Sequence, residues 1–80
     1  MEISYFIRGV RFSIKSHWFT EECMAIDHEV DTLIMDCASN FYENNSEVCW
    51  FPAEITVCVG NKQFGSRIVE LDFKPVFEIQ

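Results

Sequence analysis

The stretch from residue 20 to residue 37, TEECMAIDHEVDTLIMDC, holds six carboxylates, one histidine and two cysteines, with no lysine or arginine. Residues of these types support three kinds of chemistry. Cysteine and histidine hold metals, a Cys–His pair makes a nucleophile, and paired carboxylates move protons. The spacing argues against each. Structural zinc usually shows two close ligand pairs. The candidates here are Cys23, Cys37, Cys49, Cys58, His17 and His28, and no two cysteines are closer than nine residues. On a helical wheel Cys23 and Cys37 point one way and His28 almost the opposite way. A nucleophile would have to be assembled from His17 and Cys49 with no motif to support it. The chain has no G-x-S-x-G, no phosphate-cradling glycine loop and no G-x-G-x-x-G. Carboxylates on an exposed helix face are ordinarily solvated. The expectation is a protein that is not an enzyme and uses no metal or cofactor.

Charge is the unusual signal. The basic residues are Arg8, Arg11, Lys15, Lys62, Arg67 and Lys74, so none falls between Lys15 and Lys62. That gap contains nine acids, within a net charge of −7. A helix tuned for stability would set a lysine or arginine four residues after its acids, for about 0.2–0.5 kcal/mol per pair. This segment forgoes them, and Asp36 and Glu43 sit where a helix dipole disfavours negative charge. On the wheel Glu22, Glu29 and Asp36 lie seven apart along one flank. Asp27 and Asp31 lie on the other, with Met24, His28 and Met35 facing outward between them. Net charge keeps a small aromatic-rich protein from associating, but solubility does not require segregation. The alternative to a merely solvated face is one that meets a basic partner, comprising Glu22, Asp27, His28, Glu29, Asp31, Met35 and Asp36. Reversing Glu29 and Asp36 to lysine is then expected to weaken binding while relieving self-repulsion and improving dipole complementarity.

The elements that must carry this face follow from periodicity. Ile3, Tyr5 and Ile7 share one parity, and Val10, Phe12 and Ile14 the other. A tight turn at Arg8-Gly9 would bring all six to one face, and a single strand bulged at Gly9 is the alternative. Residues 20 to about 42 predict one amphipathic helix with Thr20 as N-cap. Its apolar stripe is Cys23, Ile26, Val30, Leu33, Cys37 and Phe41, with Ile34 at the edge. Asn44-Asn45 ends it. From residue 47 the chain returns to strands: Ile55, Val57 and Val59 alternate with polar residues, and GNK at 60–62 marks a turn. Val69, Leu71, Phe73, Phe77 and Ile79 continue one parity. Pro75 places that segment at a sheet edge or splits it in two. The expected fold is a single α+β domain spanning 1–80, in the order ββ-α-ββ(β). One helix covers one face of an antiparallel sheet of four to five strands.

Eighty residues that are 49% hydrophobic and 15% aromatic describe a globular chain, not a disordered one. The N-terminal MEISYFIRGVRFSIK lacks a basic leader region, and no apolar run is long enough to span a membrane, so a cytoplasmic protein is expected. Its four cysteines are then expected as thiols, mostly in the core. Trp18 and Trp50 flank the helix, either closing the two ends of the core or offering an anchor to a partner. Direct nucleic-acid binding is not expected, because stacking platforms need a positive groove. Tiny, acidic, single-domain and without catalytic residues, the chain is similar in general type to small phage-encoded inhibitors of host defence, such as anti-CRISPR and anti-restriction proteins. That likeness is one of size and charge, so no site residue is carried from it. It implies a module in the host-cell cytoplasm that blocks a basic, nucleic-acid-handling protein through the acidic helix face, some such inhibitors acting as DNA mimics. The other classes in play are an assembly subunit that forms a homodimer through its sheet or a tryptophan, and a small enzyme or metal protein.

Overall fold

A computed structural model describes residues 1–45 and 50–70. Four strands, β1 (Glu2–Ile7), β2 (Val10–Lys15), β3 (Ala53–Val59) and β4 (Lys62–Val69), form one antiparallel sheet in the order β2-β1-β3-β4. Between β2 and β3 run a short 3₁₀ turn, Glu21–Ala25, and one helix, α1 (Asp27–Asn45). The ββ-α-ββ order and the helix-on-sheet layering are those the periodicity predicts.

The parity switch is a hairpin. Arg8 and Gly9 take φ of 52° and 83°, the two positive values that a two-residue type I′ turn demands. The register then sets Ile7 opposite Val10, Tyr5 opposite Phe12 and Ile3 opposite Ile14. Gly60, at φ 61°, opens the second tight turn, which sets Val59 opposite Lys62. Central β1 pairs with β3 so that Tyr5 lies beside Val57 and Ile7 beside Ile55. All four are essentially without solvent exposure. Onto them α1 lays Val30, Leu33, Ile34, Cys37, Ala38 and Phe41, all buried. Phe12, Trp50 and Phe51 pack their rings around Phe41 and close one end of this core.

Helix and sheet approach closely at Gly65. A Cβ there would stand 2.6 Å from Val30 Cγ1. The register slips just beyond: Val57 faces Gly65 but Cys58 faces Gln63, so Phe64 is the extra residue of a bulge. Its ring stacks on Phe19 with centroids 5.4 Å apart.

Three sequence expectations are corrected. The helix is not continuous from residue 20: Ile26 is extended (φ −113°, ψ 109°) and separates the 3₁₀ turn from α1. The Ile26 carbonyl accepts the first α1 bonds, from the N–H groups of Glu29 and Val30. Thr20 therefore caps the 3₁₀ turn and not α1. A 3₁₀ turn advances three residues per turn instead of 3.6, so the stripe loses phase at its N-terminal end. Ile26 turns 47% exposed, while Met24, expected to face outward, is half-buried against the core. The end also moves, with α1 running to Asn45. The expected strand continuation through Phe73, Pro75 and Ile79 lies outside the described residues, as does Cys49.

Candidate protein-binding face

The acidic face is built by α1 and by the loop that enters it. Seven residues advance a helix by about 10.5 Å and nearly two full turns. Glu29, Asp36 and Glu43 thus form a column along one flank, with Asp27 and Asp31 on the other. Six of the seven residues expected at the face are exposed: Glu22, Asp27, His28, Asp31, Met35 and Asp36. Glu29 is half-buried.

The sheet treats the two flanks differently. Arg67 lies on β4 opposite Ile55, on the sheet face that meets α1. Its Nε donates to Asp31 Oδ1 at 2.6 Å, and its Nη2 lies 3.8 Å from Asp27 Oδ1. The flank that looks unpaired along the chain is therefore paired in space by a cation 36 residues away. The other flank carries no ion pair among the described residues. There the Trp18 indole N–H donates to Asp36 Oδ2 at 3.0 Å.

Trp18 is held by the chain around it. Ser16, almost fully buried, bonds back to Met1 through its backbone N–H and its carbonyl. Its hydroxyl accepts the N–H of Phe19 at 3.1 Å. That bend sends Phe19 into the core and leaves Trp18 38% exposed, edge-on to the Phe19 ring. The two tryptophans thus divide the roles left open by the sequence. Trp50 closes the core and Trp18 faces water. Between Trp18 and α1 runs a groove of about 360 Å³, walled by Asp36, Ser39, Asn40 and Glu43 on the helix side and by Ile14, Lys15 and His17 on the other. A second groove of about 340 Å³, on the far side of the sheet, is lined by Arg8 and Glu54 among others.

The break at Ile26 also changes the electrostatics of Glu29. It is no longer mid-helix but in the first turn of α1, where a carboxylate is favoured by the helix dipole. Reversing it would cost a few tenths of a kcal/mol instead of gaining them. Asp36 is likewise no free charge, since its reversal would break the indole bond. Glu43, in the last turn, is the acid whose reversal helps the helix. Sequence reasoning noted its position but left it out of the face, although its spacing of seven from Asp36 was there to read. The indole bond and the Arg67 pairing had no sequence signal.

Beneath the face the titratable groups are buried and inert. Burial, reinforced by the neighbouring Asp36 charge, pushes the Cys37 thiol up to about 12. Burial, with Cys37 adding to it, pushes the Tyr5 phenol well above its ordinary value. The Tyr5 hydroxyl donates to Asn40 Oδ1 at 2.7 Å and ties β1 to the groove wall. Among the described residues no three His, Cys, Asp or Glu side chains are placed to hold a metal ion, and no helix is long and apolar enough to cross a membrane.

The fold and face define an α+β domain with an acidic helix laid across one side of a four-stranded sheet. No family model, curated protein or solved structure matches it.

Proposed function

We propose that this protein is an interaction module that docks the Glu29–Asp36–Glu43 flank of α1 onto a basic surface of a nucleic-acid-handling protein and blocks it. The observation that carries this reading is the asymmetry between the flanks. Arg67 pairs with Asp31 and lies near Asp27, while among the described residues the opposite column has no ion pair and borders an exposed tryptophan. A column of negative charge steers encounter with positive surfaces. Channels that bind nucleic-acid phosphates carry such surfaces. This is the mode of action of some small phage inhibitors of host defence, and the acidic column would stand where phosphates otherwise bind.

The test is the double reversal Glu29→Lys with Glu43→Lys. The dipole loss at the first turn and the gain at the last oppose each other, so melting temperature should barely move. Binding to a basic partner should fall by about 1–3 kcal/mol per reversed contact. A pull-down from host lysate at low and high salt would identify the partner. Gel-shift titration would then measure whether the protein displaces nucleic acid from it. A partner released at high salt, and not retained by the reversed variant, supports the reading. Equal capture by both variants would refute it and send the search to the sheet.

A further inference from the structure

We propose that the groove beside Trp18 receives one lysine or arginine side chain from the basic partner, its stem along the indole and its charge beside Asp36 and Glu43. The inference rests on the reading of this flank as the docking face and adds the point at which the partner is anchored.

Four features favour a cation here. The indole is exposed but not loose, because Asp36 holds its N–H and Phe19 packs against its edge. An aromatic already fixed in place loses little freedom on binding. Tryptophan is the ring best suited to a cation over its face and is enriched among interface hot spots. Two carboxylates, two helical turns apart, line the same wall, with the Ser39 hydroxyl between them as a neutral partner. A volume of about 360 Å³ takes a long side chain with some water but not a folded element. Among the described residues Lys15 is the lysine or arginine on the opposite wall. It opposes an incoming cation, so its removal should improve binding, an effect that a purely structural role for the groove would not produce.

The experiment uses the full chain and an acetylated hexa-arginine peptide, with hexa-citrulline as the uncharged control. Binding is followed by NMR on the two indole N–H resonances, the Trp18 signal being the one absent from Trp18→Phe. Hexa-arginine should shift the Trp18 resonance, leave that of Trp50 in place, and lose affinity in high salt. Trp18→Phe and Glu43→Gln should each weaken binding about tenfold, as truncation at a hot spot does. Lys15→Gln should tighten it a few-fold, and Glu54→Gln on the far side of the sheet should change it little. Suppose instead that the peptide binds and Glu29→Lys weakens it, yet the Trp18 resonance stays still and Lys15→Gln has no effect. The groove assignment then falls while the acidic docking face stands. If hexa-arginine does not bind even at low salt, both fall together.

Discussion

The roll of α1 decides which acids face water, and Gly65 sets how closely the helix sits on the sheet. Gly65→Ala is therefore an informative perturbation. Its new methyl would lie 2.6 Å from Val30 Cγ1 and 3.4 Å from Val57 Cγ2. Ordinary carbon contacts lie at about 3.5–4.0 Å, so the helix or Val30 must give way by about 1 Å. Val30 cannot do so by rotation, because β-branched side chains in a helix hold essentially one rotamer. Overpacking of this kind costs about 1–3 kcal/mol. Replacing a strand glycine returns about 0.5–1 kcal/mol. The net expected loss is about 0–2.5 kcal/mol, or up to roughly 20 °C in melting temperature for a domain of this size. Val30→Ala alone removes two buried methylene equivalents and should cost about 2 kcal/mol. In the double variant the methyl added at position 65 occupies space that the Val30 side chain vacated. The two losses should then fall short of additivity by about 1 kcal/mol or more. Urea unfolding of the four proteins measures the cycle. Full additivity in the cycle would refute the close approach and with it the helix roll that presents Glu29, Asp36 and Glu43.

Cys37 should resist alkylation in the native protein and react on unfolding, whereas Cys23 and Cys58, both only half-buried, should label first; mass spectrometry of timed samples distinguishes them. Stability should fall on the alkaline side: the thiol and phenol keep their protons in the fold but lose them in the unfolded chain above their ordinary values of 9.0 and 10.0. Below those values both groups are neutral in both states and the contribution is intact, and each should then remove about 1.4 kcal/mol per further pH unit until the folded group also titrates. Urea midpoints between pH 8 and 11, set as roughly spanning this window, should show the loss and a shallower one in Tyr5→Phe. At neutral pH Tyr5→Phe should itself cost about 0.5–1.5 kcal/mol for the lost bond to Asn40. Arg67→Ala should cost no more than about 1 kcal/mol, less in high salt, because the pair is part-exposed.

Local and short-range rules made much of this protein readable from its sequence. Alternation fixed which side of β1, β2 and β3 faces the core, because a one-residue slip would turn every apolar residue of β1 to water. The positive φ that Arg8-Gly9 must adopt made the parity switch a hairpin, and the stripe from Val30 to Phe41 phased α1 correctly. The wheel placed His28 and Met35 outward, where they lie. Tertiary structure decided the rest, wherever the deciding partner is distant along the chain. The break at Ile26 was hidden for a local reason, since a 3₁₀ turn and a helix share almost the same pattern over five residues. Whether Trp18 or Trp50 closes the core depended on the Ser16 bend and the Phe41 cluster. The charge pattern changed most. Along the chain both acidic flanks look alike. In space Arg67 reaches one from β4, and the other gathers Trp18 and the groove beside it. Coulomb pairing depends on distance through the fold and not on separation along the chain.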